Sequence, residues 1–372
     1  MKPSGIGGQA VIEGVMMRNG GKYAVAVRTA EGEIVVDVQN CSSSRIQSKK
    51  ITKLPIIRGV VNFFDSLILG MKSLMYSASL FAEETDAERA EREGKERRKA
   101  SAKAEKLRKQ GKEQEAERVL QKCEEKLAKE AGGQAASGKD DKKDDDWLMT
   151  LTVIFSLVFS IVLFMMLPYF ISRWLRKLVA SEMLILIVEG IVKLVIFFGY
   201  LALISRMKDI QRTFMYHGAE HKCINCIEHG LELNVANVRV SSREHKRCGT
   251  SFLFIVMFIS IVFIMVFSIP LFAVMNVNTS FWRIVLRLAL LPLIAGVSYE
   301  FIRLAGSSDS KLVNALSRPG MMLQHMTTKE PDDSMIEVAI ASVEAVFDWR
   351  KFENEQFGTK YELKTEGEDA AV

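Results

Sequence analysis

The chain has 372 residues, 48% of them apolar and 26% charged, with a formal net charge of +5. These averages conceal two populations: residues 83–146 carry 18 basic and 19 acidic side chains, while several stretches elsewhere run past 20 residues almost without charge. That distribution excludes a single soluble globular domain. Five cysteines, few and unevenly placed, exclude a disulfide-built secreted scaffold. The first 40 residues also lack the apolar core of a secretory signal.

Residues 1–54 read as a cytosolic glycine-rich and β-hairpin unit. The segment GIGGQAVIEGVMMRNGG, from Gly5 to Gly21, holds six glycines but no GxGxxG and no P-loop lysine, which argues against a nucleotide site. So many glycines predict backbone held close to a ligand or a neighbouring chain. Lys22–Arg28 and Glu33–Gln39 alternate Val or Ala with polar residues, and Glu31-Gly32 between them suits a hairpin turn. Residues 55–82 predict a helix with proline at its start. Arg58, Asn62, Asp65 and Lys72 fall on one stripe and apolar residues fill the rest, which fits an interfacial or partly inserted amphipathic helix, with a fifth membrane span as the alternative. Residues 83–146 form a charged insert, read as a solvated helix followed by a disordered linker (GGQAASGKDDKKDDD). Its charges nearly cancel, which argues against nucleic-acid binding.

Residues 147–304 read as a four-helix transmembrane domain. Leu148–Ile171 and Phe252–Met275 carry no charge, and Met183–Ile204 carries only Glu189 and Lys193. Phe281–Leu304 carries Arg283, Arg287, Glu300 and Arg303 near its ends, where long side chains snorkel to an interface. The loop Ser205–Ser251 has eight Lys/Arg, the first loop has three, and Asn276–Ser280 has none. The excess of positive charge places that loop and both termini in the cytosol, so all five cysteines lie in reducing compartments. Glu189 and Lys193, one turn apart, read as a mutually neutralising pair or as part of a transport path. Residues 305–372 form a cytosolic C-terminal segment. There Ser317–Gly320 (SRPG) and TTKEPDD predict turns, and Ser334–Trp349 predicts an amphipathic helix with Ile336, Ile340, Val343 and Phe347 on one face. The fold class is therefore a mostly α membrane protein: four transmembrane helices, a small N-terminal β-hairpin unit and an interfacial helix.

The chemistry concentrates between His217 and Cys248, which holds four of the five histidines and three of the five cysteines. His217 and His221 are four apart, so on a helix they project about 40° apart and both imidazoles can reach one ion. With Glu220 they form HxxEH, the inverted order of the zinc-peptidase HExxH motif, in which a carboxylate takes a proton from metal-activated water. His245 and Cys248 offer further ligands. A competing set, Cys223-x2-Cys226 with His245-x2-Cys248, would close four ligands around a structural zinc. His229, His325, Cys41 and Cys123 read as incidental.

GGQAVIEGVMMR (Gly7–Arg18), Arg58-Gly59, YHGAEHK (Tyr216–Lys222), HKRCGTSF (His245–Phe252) and RPGMMLQ with TTKEP (Arg318–Pro331) together resemble the YqhQ-like family of bacterial membrane proteins, labelled predicted metal-dependent enzymes. The resemblance covers nearly the whole chain outside the charged insert. It implies His217, His221 and His245 as metal ligands, Cys248 as an alternate ligand and Glu220 as general base, and gives Cys223 and Cys226 no required role. It also draws in Glu13, as a further ligand or acid–base group, and Arg18, as an anchor for an anionic substrate or a partner for a carboxylate. The expectation is a multi-pass protein of the bacterial inner (cytoplasmic) membrane, acting as a metal-dependent hydrolase with a divalent metal, zinc by its ligand chemistry. Its partners would be the lipid bilayer and a membrane-proximal peptide or lipid substrate. The alternatives are a non-enzymatic membrane scaffold or assembly factor with a structural metal, and a transporter.

Overall fold

The computed structural model describes residues 2–41, 54–82, isolated helical positions between 97 and 117, 141–175, 181–274, 280–307 and 310–363. The chain divides into two compact units, one of Ala82–Met165 and one of Met1–Phe81 with Met166–Val372. Most of the charged insert lies outside the described residues, and its last six residues open the helix Asp141–Ile161.

The N-terminal segment forms a four-stranded antiparallel sheet of β1 (Gly7–Val11), β2 (Gly14–Asn19), β3 (Lys22–Arg28) and β4 (Ile34–Asn40), hydrogen-bonded in that order. The expected hairpin is β3–β4. The glycine-rich segment, which by sequence suggested only a close approach, is itself a second hairpin, β1–β2. Its glycines do mark close approaches: a Cβ at Gly14 would strike the Ala26 carbonyl oxygen, and one at Gly8 would lie 2.9 Å from Glu220 Cγ.

Side chains along β2 and β3 alternate between two cores. Val15, Met17 and Ala26 face one, and Met16, Val25 and Val27 face the other. Both sheet faces are covered, which is why β2 reads as a nearly continuous apolar run. The first core is completed by α5 (Lys208–Glu228), α6 (Val235–Val240), α10 (Asp333–Glu344) and α11 (Trp349–Phe357). The second is covered by α1 (Ile57–Ala82) through Leu69, Tyr76 and Leu80.

Helix α1 also links the sheet to α8 (Ser280–Ser307). Arg58 pairs with both oxygens of Glu300, Asn62 donates to the Tyr299 hydroxyl at 2.8 Å, and Gly59 lies so near Gly296 that an added Cβ would sit 2.8 Å from its carbonyl oxygen. Arg18 reaches across from β2 to Asp65 of α1 at 2.8 Å. On the far side of α1, Phe64, Leu67, Ile68 and Met71 are exposed.

Three helical stretches among the described residues are long and apolar enough to cross a membrane: Leu151–Leu175, Met183–Ile204 and Ile284–Phe301. The first joins α2 (Asp141–Ile161) to α3 (Leu167–Leu175) through a π-helical segment, the second lies in α4 (Glu182–Ile204), and the third lies in α8. The remaining expected span falls in α7 (Gly249–Val274), where a shorter apolar stretch, Gly249–Ile264, is seen. Two local expectations are corrected. SRPG is no turn but lies inside α9 (Lys311–Thr327); Pro319 removes one backbone donor, yet the helix continues, with Gly320 tight against Ser251 of α7. The expected Ser334–Trp349 helix stops at Glu344 and restarts at Trp349, where Asp348 caps the new helix by accepting from Lys351 N–H.

Glu353 of α11 is fully buried. Burial pushes its carboxyl up to about 7, against the pull of Tyr361 and reinforced by Glu232. The folded state thus favours the protonated acid, so its contribution is complete below the ordinary carboxyl pKa and is lost as pH rises through about 7. Glu353→Gln should raise the melting temperature of the purified protein at pH 8 and leave it unchanged at pH 5, an effect of up to about 3 kcal/mol at the alkaline end. Parallel pH profiles for the two proteins would contradict this.

Candidate metal centre

Helix α5 carries the polar sequence HGAEHKCINCIE, yet every residue from Gly218 to Glu228 is buried. Its apolar stripe accounts for half of this: Tyr216, Ala219, Cys223, Ile224 and Ile227 fill the first core. Two of the polar side chains on the other faces bond backbone carbonyls of the segment that follows. Lys222 donates to the Arg239 carbonyl at 2.8 Å and pairs with Glu330 at 2.9 Å. Asn225 donates to the carbonyls of Ser242 and Glu244 at 2.6 and 2.9 Å. These bonds hang the 239–247 loop on α5 and bring Cys248 back over the helix.

Both histidines of the HxxEH motif are held in the same way. His217 Nδ1 lies 2.8 Å from the Thr327 carbonyl oxygen, and His221 Nδ1 lies 2.5 Å from that of Arg243. A carbonyl only accepts, so each Nδ1 carries a proton and each Nε2 is left to face the cluster. The two rings lie 4.4 Å apart, His217 Nε2 is 3.2 Å from Cys248 Sγ, and the ligand atoms of His217, His221 and Cys248 all fall within 4.8 Å of one another. His221 Nε2 is buried without a hydrogen-bond partner. Such an orphaned nitrogen beside a second imidazole and a thiol fits a metal ligand, because burial without a partner otherwise destabilises. The cluster can therefore hold a metal ion.

The electrostatics favour a cation there. Burial alone would lower both imidazoles and raise the thiol. Contact with Cys248 and the Glu220 charge instead raise His217 and His221, and the two imidazoles hold the Cys248 thiol well below its ordinary range. The thiolate is the form that binds metal. Glu220, buried beside the cluster, places Oε2 3.8 Å from His217 Nε2.

The other sequence candidates stand elsewhere. His245 is not among the gathered ligand atoms. Its Nε2 lies 3.6 Å from Glu228 Oε2, and Glu228 also binds Arg247 and the backbone N–H and hydroxyl of Ser4. Despite burial, these partners hold the Glu228 carboxyl down at about 2. Glu13 is bound by Arg212 through two 2.5 Å contacts and by the Tyr216 hydroxyl at 3.3 Å. It occupies a left-handed turn position (φ 50°), and this clamp opposes the backbone strain. Arg18 is paired with Asp65. Cys223 lies in the apolar core with its thiol raised well above the ordinary range, and Cys226 donates to the Leu231 carbonyl with its thiol pushed up to about 12. Neither joins Cys248, so the four-cysteine/histidine closed set is not assembled among the described residues.

Sequence reasoning missed the supports. Gln324 is fully buried and bonds both the N–H and the carbonyl of His245, along with Ser251, fixing the loop that leads into Cys248. Thr327 supplies the carbonyl for His217. Both belong to the RPGMMLQ and TTKEP motifs, which were visible in the sequence but pointed to no function.

Over residues 54–349 the chain matches a family described as a protein of unknown function, DUF1385. The chain belongs to this family. It is also similar to "Uncharacterized protein YqhQ" of Bacillus subtilis (strain 168), at 29% identity over 346 residues and 91% of each chain. No solved structure matches. The family match includes His217, Glu220, His221 and Cys248, and it also spans the supporting Gln324 and Thr327.

Gly218 explains the glycine within HGAEH. A Cβ there would overlap the Lys329 carbonyl oxygen, and Lys329 N–H bonds the Phe214 carbonyl at 2.9 Å. Gly218→Ala should displace this strap, and with it the nearby Thr327 carbonyl. The expected outcome is a loss of about 1–3 kcal/mol of stability and weaker metal retention, read by melting and metal analysis. Gly199→Ala, where an added Cβ meets nothing within 4 Å, is the control and should change neither.

Proposed function

We propose that this protein is a membrane-embedded, metal-dependent hydrolase whose site lies at the cytosolic surface of the bacterial inner membrane. One observation supports the reading above others: two imidazoles, each fixed through Nδ1 on a backbone carbonyl, gather with the Cys248 sulfur within 4.8 Å, with a buried Glu220 oxygen 3.8 Å from His217 Nε2. His217, His221 and Cys248 are the proposed ligands, and the nitrogen and sulfur donors favour zinc. A zinc ion bound there supplies Lewis-acid polarisation of a carbonyl and of water. Glu220 is the proposed general base, holding the proton taken from the attacking water and delivering it to the leaving group. Thr327 and Arg243 orient the imidazoles, and Glu228 holds His245 beside them.

In this reading α7 is the fourth span, its 26 residues reaching about 39 Å at 1.5 Å per residue. The basic Ser205–Ser251 segment keeps the site and both termini cytosolic, and the exposed apolar face of α1 rests on the lipid surface.

Metal analysis of gently purified protein tests this directly. Near-stoichiometric zinc is expected, with His217→Ala and Cys248→Ser each losing most of it and His245→Ala retaining it. Glu220→Gln should keep its metal and slow turnover of a quenched-fluorescent peptide pool by about 10²–10⁴-fold. A wild-type protein free of bound metal would sink the proposal.

A further inference from the structure

The geometry points to an extended peptide as the substrate, bound as an added strand along the open edge of β1. This inference rests on the hydrolase reading and names its substrate class. β1 is the outer strand of the sheet. The two-residue turn Ile12–Glu13 makes Val11 and Gly14 the closing hydrogen-bonded pair, so bonds alternate from there. Gln9 and Gly7 bond inward to β2. Gly8 and Ala10, opposite Met17 and Val15, turn their N–H and C=O outward. Among the described residues, neither has a backbone hydrogen bond outside the sheet.

Three further facts select the occupant. First, the edge passes the site: Gly8 lies directly against Glu220, whose Oε2 is 3.8 Å from His217 Nε2. Second, the edge is left open. Gly7 and Gly8 are exposed, and GGQAV contains none of the charges or prolines that usually blunt an edge strand. Third, the groups presented are alternating backbone donors and acceptors. Another peptide backbone complements them, whereas an acyl chain does not. A peptide paired here brings an amide bond beside Glu220. In the step that follows, the amide C–N bond breaks, the water oxygen joins the acyl carbon, and one water proton passes by way of Glu220 to the departing nitrogen.

The test uses zinc-loaded full-length protein in nanodiscs and four hydroxamate probes: acetohydroxamate, myristoyl hydroxamate, an N-acetylated tripeptidyl hydroxamate, and that tripeptide with its backbone nitrogens methylated. The tripeptidyl probe should bind at least tenfold more tightly than acetohydroxamate, and amide exchange in residues 7–11 should slow on binding. Methylation should remove that advantage without touching the protein. Ala10→Pro should do the same, because it deletes one outward N–H at an edge position that tolerates proline. Retained zinc and unchanged acetohydroxamate binding in this variant certify its fold. Equal affinity for acetohydroxamate and the tripeptide, or tighter binding of myristoyl hydroxamate than of the tripeptide, overturns the edge-strand proposal alone. Failure of acetohydroxamate to bind zinc-loaded protein overturns the hydrolase reading beneath it.

Discussion

Twelve residues of α5 between Tyr216 and Glu228 are out of water, and five of them, Glu220, His221, Lys222, Asn225 and Glu228, are polar or charged. Buried polar groups destabilise a fold unless each finds a partner, and here the partners are mostly main-chain carbonyls from two other segments. Arg239, Ser242, Arg243 and Glu244 provide them from one side and Thr327 from the other. The same bonds that make α5 tolerable in the interior orient its imidazoles. Stability and site geometry are therefore one set of interactions, and a change that frees the 239–247 loop disturbs both.

The sheet contributes through its two-sided burial. With α5 and α10 on one face and α1 on the other, its four strands are held between two apolar cores. Arg18–Asp65 and Arg58–Glu300 tie this sheet through α1 to α8. Gly8, Gly59 and Gly218 serve one purpose at three places: each removes a side chain where two backbones or a helix and a strand meet. These contacts give the glycine-bearing motifs a packing reason independent of any catalytic role.

Much of this was legible in the sequence. Strand alternation at Lys22–Arg28 and the following residues predicted the β3–β4 hairpin, and hydropathy located the membrane-length helices, because period and transfer energy are local properties. HxxEH placed two histidines and a glutamate on one helix face for the same reason. The β1–β2 hairpin was less visible, since glycine weakens strand patterning and both faces of β2 are buried. SRPG misled because the turn preference of proline is local, while the helix that contains it is held by packing on Ser251.

The sequence by itself determined the membrane-length apolar helices, the split between charged insert and apolar core, and the HxxEH grouping, all of which depend on neighbours within a few residues. Only the tertiary structure decided which distant residue completes the cluster. Cys248 and His245 are three positions apart and equally plausible by spacing. Folding brings Sγ of one within 3.2 Å of His217 and gives the other to Glu228. That choice is made by Arg243 beside them and by Gln324 and Thr327, which reach the site from far along the chain through hydrogen bonds that leave no periodic trace in the sequence.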